Sequence, residues 1–140
     1  AGDSILAAFA LGAEGVQMGT RFALTEESSA SEPFKELCLN LNEGDTRLLL
    51  KKLSPTRMVK GSFTAIVEDA EARGASVDEL KEILGKGRSK KGIFEGNMQD
   101  GQIEIGQGAS LLRNKQTVAE VIDELVSDFH KGLDRMKQLS

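Results

Sequence analysis

The sequence predicts an α/β chain, and three observations carry that reading. A short apolar helix in the first dozen residues is followed within four residues by the stretch Gly15 to Met18, short, apolar and ending at a glycine. A helix feeding a short buried strand is the αβ step of a parallel sheet. The middle of the chain is mainly of helical period, and a long amphipathic helix closes it. An αβ piece thus stands at each end, with a helical segment inserted between them.

The elements follow in order. Asp3 or Ser4 caps a helix to about Leu11, with Ile5, Leu6, Phe9 and Ala10 on its apolar side and Gly12 as its stop. Ser31 caps the next helix, Pro33 takes an early position, and Phe34, Leu37, Cys38 and Leu41 recur at helical spacing. Asn42 to Asp45 is a turn, and "TRLLLKKL" reads as strand. "SPTRMVKGSF" reads as irregular, Ile66 to Arg73 as helix closed by Gly74. Ser76 with Glu79, and Thr117 with Glu120, form capping boxes. Residues 85–108 are punctuated by glycine and read as a loop. Val118, Val121, Ile122, Leu125, Phe129, Leu133 and Met136 mark the face by which the last helix docks on its own core.

Composition excludes several classes. The formal net charge is −4 over 140 residues with 29% charged, so no basic surplus points to nucleic acid or an anionic membrane. Lys86, Arg88, Lys90 and Lys91 read as a solvated loop. No apolar run is long enough to span a bilayer. Cys38 is the single cysteine, which excludes an internal disulfide, fits a reducing cytoplasmic compartment and reads as a buried thiol. One histidine, His130, reads as a surface residue, and no zinc set is present. Glu26 and Glu27 read as a solvated face, and Gly61-Ser62-Phe63 lacks the context of a nucleophile.

Two small-residue loops carry candidate chemistry. In "QMGTR" Gly19 allows close backbone approach to an anion, amides beyond it can donate, and Thr20 adds a hydroxyl. A tight turn after a core strand would look the same. Arg21 could supply charge or face solvent. In "EIGQGAS", residues 104–110, Gln107 could bond a ligand or satisfy a buried backbone group.

The stretch "ILAAFALGAEGVQMGTRFALTEESSASEPFKE" resembles the carboxyl-terminal part of a flavin-dependent family containing enoyl-acyl carrier protein reductase II and nitronate monooxygenase, also called 2-nitropropane dioxygenase. The family pattern "LGA-G-Q-GT-F" then "-ES-A---K" is matched by Leu11-Gly12-Ala13, Gly15, Gln17, Gly19-Thr20, Phe22, Glu27-Ser28, Ala30 and Lys35. "GQGASLL" is similar to the family's "GQ-AGL", with Ser110 where many relatives have glycine.

The resemblance implies an FMN-binding (β/α)8 TIM barrel with a mostly helical second domain, of which this chain is the carboxyl-terminal fragment. Residues 1–22 would be the barrel end (helix seven, strand eight and the phosphate loop). Residues 23–101 would be the smaller domain over the active site, and residues 102–140 the return loop and closing helix. Gly19 and Thr20 match positions that hold the FMN phosphate, Gln17 and Met18 line the approach, and Gln107 faces the flavin pocket. The family's catalytic base has no counterpart here, and His130 does not match it.

The implied activity is NAD(P)H-dependent reduction of enoyl-acyl carrier protein thioesters in fatty acid synthesis, with NADPH or NADH as electron donor. The basic loop at Lys86 to Lys91 favours it as a face for a phosphorylated cofactor or an acidic carrier. The alternative is oxidation of alkyl nitronates with oxygen. A non-enzyme alternative is an inactive structural half. The chain opens Ala1-Gly2-Asp3 without a methionine, so the amino-terminal part of the same protein is the expected partner, and a homodimer is a further option.

Overall fold

The structure, a computed structural model, describes residues 2–139. Helix α1 (Gly2–Ala10) crosses the long terminal helix α7 (Val118–Lys137) at close range. A Cβ at Gly2 would run into backbone atoms of Leu125 and Phe129, and one at Gly132 would meet Asp3 and Leu6. Phe9 stacks edge-on against Phe129 at 5.8 Å, and Arg135 bonds Asp3 at 3.1 Å. The helix thus starts one residue before the expected caps, Asp3 and Ser4 lie inside it, and Gly12 follows at φ 95°.

The strand expected at 15–18 is not formed among the described residues. That segment is extended, and Val16 and Gln17 are exposed. A strand exists only through its ladder, and the segment has no neighbour here with which to make one. A single turn, α2 (Thr20–Ala23), follows it directly.

The middle segment builds its own core. Helix α3 (Glu32–Leu39) starts at Ser31 with Pro33 in its first turn. Strand β1 (Thr46–Leu49) pairs antiparallel with β2 (Thr56–Val59), Thr46 opposite Val59 and Leu49 opposite Thr56. β2 corrects the irregular reading of "SPTRMVKGSF". Pro55 stands just outside it, where a missing N–H costs nothing. Leu50, at φ 58° and fully buried, turns the chain between the strands.

Helix α4 (Ser62–Ala72) starts earlier than expected, because Thr64 caps back onto the Gly61 N–H at 2.7 Å. Helix α5 (Val77–Leu84) has the predicted capping box. The glycine-rich stretch contains α6 (Arg88–Ile93) and, at Gln107–Leu111, a 3₁₀ turn. Two apolar clusters result. Leu24, Phe34, Cys38, Val59, Ile103 and Ile105 form one, and Leu49, Met58, Phe63, Val67 and Leu80 the other.

Residues 103–105 run along the free edge of β2. Val59 N–H donates to the Ile103 carbonyl at 2.9 Å and Ile105 N–H to the Arg57 carbonyl at 3.3 Å. The sheet is therefore small and open, and no closed barrel is present among the described residues. What the fold achieves is a return: the chain leaves at α2 and comes back beside it at residue 106. No helix among the described residues is long and apolar enough to cross a membrane.

Candidate functional site

Where the chain leaves and returns, two glycine loops meet. The Thr20 Oγ1 accepts the Gly106 N–H at 3.0 Å. A Cβ at Gly106 would lie 2.6 Å from that oxygen, so only glycine permits the contact. Oγ1 accepts that bond, and a hydroxyl that accepts keeps its O–H free to donate. The first amides of a helix have no intrahelical acceptor, and those of Thr20 and Arg21 hold that place in α2.

Beside this contact lies a cleft of about 430 Å³, lined by Met18, Gly19, Thr20, Arg21, Gly108 and Glu124 among others. Gly19 has φ −96°, open to any residue, and a Cβ there would meet no atom within 4 Å. The same holds for a Cβ at Gly108. Nothing in the fold demands glycine at either position. With no side chain at either, the backbone is left open to close approach by a group such as a phosphate. The residues present fit such a group: two backbone surfaces open to close approach, a hydroxyl poised to donate and amides at a helix start.

The structure brings Met18, Gly19 and Thr20 together on this cleft. Gln107 opens the 3₁₀ turn, exposed, in a neighbouring cleft of about 460 Å³ with Glu43, Gly108 and Arg113. Gly108 and Leu111 line both clefts. Gln17 is exposed and lies outside the lining of either. A third cleft, of about 390 Å³ and almost wholly apolar, opens between α1 and α7 against Phe9, Val16, Met18, Phe22 and Phe129. His130 sits on its rim, exposed, its ring edge-on to Phe129.

Several charged residues behave otherwise than the sequence suggests. Arg21 is buried, and its Nη2 donates to Gln116 Oε1 and, at 2.9 Å, to Glu124 Oε2. Lys35 is buried beneath α3, its Nζ donating to the carbonyls of Glu26 at 3.1 Å and Ser28 at 2.9 Å and to Glu32 at 3.3 Å. Glu27 is no idle surface carboxylate: both its oxygens accept the Val118 N–H at 2.9 Å, at the start of α7. Arg88 leaves the solvated group as well. It bonds the carbonyls of Leu84, Ile83 and Asp100 and lies 4.4 Å from the Phe63 ring centroid. Lys86, Lys90 and Lys91 remain exposed. Burial pushes the Cys38 thiol up to about 12, which leaves it inert at neutral pH. Among the described residues no cluster of His, Cys, Asp or Glu could hold a metal ion.

Sequence reasoning missed the roles of Arg21 and Lys35. The signal was the neighbourhood. Each lies amid small or apolar residues close to a helix start, where a long cation can satisfy carbonyls or a distant carboxylate.

The family described as nitronate monooxygenase matches residues 1–128. Over 99% of its length the chain is 27% identical to the (3aS,4S,5R,7aS)-5-hydroxy-7a-methyl-1-oxo-octahydro-1H-indene-4-carboxyl-CoA dehydrogenase of Rhodococcus jostii (strain RHA1), covering 50% of that protein. Over 68 residues, 49% of the chain, it is 37% identical to a probable nitronate monooxygenase of Staphylococcus aureus (strain Newman), covering 19% of it. Among solved structures it is similar to FabK from Thermotoga maritima, with TM-score 0.89, 29% identity, and coverage of 99% of this chain and 44% of that one. Similarity also extends to a nitroalkane oxidase from Streptomyces ansochromogenes, with TM-score 0.70, 25% identity, and coverage of 96% and 38%. The chain thus spans at most about half the length of these relatives. Matched from residue 1 to residue 128, it belongs to the FMN-dependent family of nitronate monooxygenase and enoyl-acyl carrier protein reductase II.

Proposed function

We propose that this chain carries the phosphate-binding end of an FMN-dependent oxidoreductase. The reading rests on one observation: Thr20 and Gly106 join two glycine loops beside a cleft where Gly19 and Gly108 leave the backbone open to close approach. Gly19 and the amides at the start of α2 would take the FMN phosphate, the Thr20 hydroxyl would donate to it, and Met18 would line the approach. Gln107 would face the flavin pocket from the start of the 3₁₀ turn, and Gln17 would line the approach only if the loop moves. In this reading residues 1–22 and 102–140 complete a (β/α)8 barrel with the rest of the protein, and 23–101 form the smaller domain above it. Residues 15–18 then gain the neighbours that a strand needs, and the apolar cleft between α1 and α7 is covered.

Bound in the cradle, FMN would supply the redox chemistry while the protein orients it. Removing the Thr20 hydroxyl deletes one bond to a charged acceptor, worth about 1.5–3 kcal/mol, and with it the clasp to the Gly106 N–H. Thr20→Val in the intact protein is therefore expected to weaken FMN by about ten- to a hundredfold, and Gly19→Val by more, because its side chain displaces the phosphate from the amides. Fluorescence titration of the apoprotein with FMN measures both, and unchanged dissociation constants for the two variants would sink the assignment.

The favoured reaction is reduction of enoyl-acyl carrier protein thioesters by NADPH or NADH. The likeness to FabK along almost the whole chain supports it, at a higher TM-score than the nitroalkane oxidase. Exposed Lys86, Lys90 and Lys91 offer an acidic carrier a face, though without Arg88. The likeness to the Staphylococcus protein supports the second reading, oxidation of nitronates with oxygen. Anaerobic mixing separates them. A reductase is bleached rapidly by NADPH or NADH and recovers its colour with an enoyl thioester. A nitronate monooxygenase is bleached by a nitronate and recovers with oxygen. Bleaching by a nitronate at a catalytic rate, with neither nucleotide effective, would overturn the reductase reading.

A further inference from the structure

Arg21 and Glu124 are charged residues beside the cradle to which the proposed function gives no task, and of the two Arg21 is the buried one. It is 8% exposed, a depth at which a guanidinium is found only when paired. Its Nη2 meets Gln116 and Glu124, and the Gln116 Nε2 closes the triangle by donating to the same Glu124 oxygen at 3.2 Å. The Gln116 carbonyl accepts the Glu26 N–H at 3.0 Å, so the triangle is itself anchored.

A buried arginine beside an anion site can act by charge or by position. Here Glu124 sits 2.9 Å from the guanidinium. The pair is neutral as a whole, and a phosphate beyond it would feel little of the cation. Position remains. Helix α2 has four residues and no side-chain cap, too short to hold itself. Its direction is set by two consecutive side chains, Thr20 clasped to Gly106 and Arg21 clasped to Gln116 and Glu124.

We propose that Arg21 is a positioning residue of the cofactor site: its clasp to Gln116 and Glu124 aims α2, and with it Gly19 and the Thr20 hydroxyl, at the phosphate. The inference rests on the FMN reading of the cradle. It requires that loss of the clasp fall on the phosphate alone.

The test compares FMN with riboflavin, which lacks the phosphate, by fluorescence titration of the intact apoprotein, with melting temperatures alongside. Arg21→Gln is expected to weaken FMN about tenfold, the scale of one lost hydrogen bond, and riboflavin by less than about twofold. Glu124→Ala is expected to weaken FMN in the same direction, whereas an arginine acting by charge would bind FMN more tightly once freed of its carboxylate. Thr20→Val is expected to cost less in the Arg21→Gln background than alone, because the hydroxyl is already misaimed. Gln116→Ala leaves the ion pair in place, and serves with the same expected direction if Arg21→Gln does not fold. Parallel loss of FMN and riboflavin, tighter FMN in Glu124→Ala, or additive losses would each overturn the inference. Unchanged FMN binding in Gly19→Val and Thr20→Val overturns the cradle and the inference with it, whereas unchanged binding in Arg21→Gln alone overturns only the role of Arg21.

Discussion

Phe34 and Phe9 are the same side chain in two regions built on different terms. Phe34 is 1% exposed, surrounded by Leu24, Cys38, Val59 and Ile103, all supplied by residues 24–105. Phe9 is 41% exposed on the rim of the apolar cleft between α1 and α7, where Val16, Ile122 and Val126 are also exposed. The middle segment closes its core with the help of Ile103, Ile105 and Ala109 from the return. The α1/α7 pair packs tightly through Gly2 and Gly132 yet leaves one face uncovered by this chain. A helix pair satisfies its backbone by itself, but burial of both its apolar sides needs partners on both.

The largest expected effect breaks the comparison directly. Phe34→Ala should cost about 3–5 kcal/mol in urea unfolding, since it empties a buried ring site. Phe9→Ala should cost about 1 kcal/mol if its face stays open, because less apolar area is lost to water. Equal costs in the intact protein would show that other chain covers Phe9 and would erase the contrast.

A second contrast lies between two glycines. A Cβ at Gly101 would strike the Gly92 Cα and the Asn97 carbonyl, both backbone, where α6 and the return segment touch. Gly101→Ala is expected to destabilise by about 1–3 kcal/mol. A Cβ at Gly15 would meet no atom within 4 Å, so Gly15→Ala should stay within about 0.5 kcal/mol. Thermal melts of the two variants read this difference, and a harmless Gly101→Ala would refute the tight crossing.

The smallest effect compares the caps. Thr117 accepts the Glu120 N–H at 3.2 Å, and Glu120 accepts the Thr117 N–H at 2.8 Å. Thr117→Ala should cost about 1 kcal/mol. Bonds from the Thr117 amide, then from its hydroxyl, hold the Glu120 carboxyl below its ordinary 4.5, and the Ser76 amide does the same for Glu79. A lowered carboxylate pKa stabilises the fold above the unfolded value, and that contribution is lost as pH falls through the folded one. Glu120→Gln should therefore flatten the loss of stability below about pH 4.5 and leave the pH dependence near neutrality unchanged. Acid titration of the unfolding midpoint checks it, and an unchanged slope would refute the coupling.

What was legible in the sequence was local. The boxes at Ser76 and Thr117, the proline start of α3 and the stop at Gly12 depend on neighbours within four residues, and each forms where the pattern places it. β2 was missed because Pro55 and Gly61 bracket it so closely that the run looks broken. Its existence depends on β1 and on residues 103–105, forty positions away. The strand expected at 15–18 failed for the converse reason, a good local pattern without a ladder. At the candidate site Gly19 and Thr20 stood out in the sequence as glycine and hydroxyl. Their junction with Gly106 and the burial of Arg21 did not, since both contacts span more than eighty residues.

That junction has a bearing on how such a chain can change its size. The segment between Thr20 and Gly106 leaves and re-enters at a junction closed by a hydrogen bond of 3.0 Å. Its two feet are fixed together, and Glu26, Glu27, Glu32 and Leu41 tie the near side of its body to residues 113–118, while its far turns touch none of these. Closing a loop costs only about 0.6 kcal/mol more for each doubling of its length. Residues can therefore be added to or cut from the exposed turns of that body with little strain at its feet. The turns of that body are free to be rebuilt while the junction of Thr20 with Gly106 stays the same.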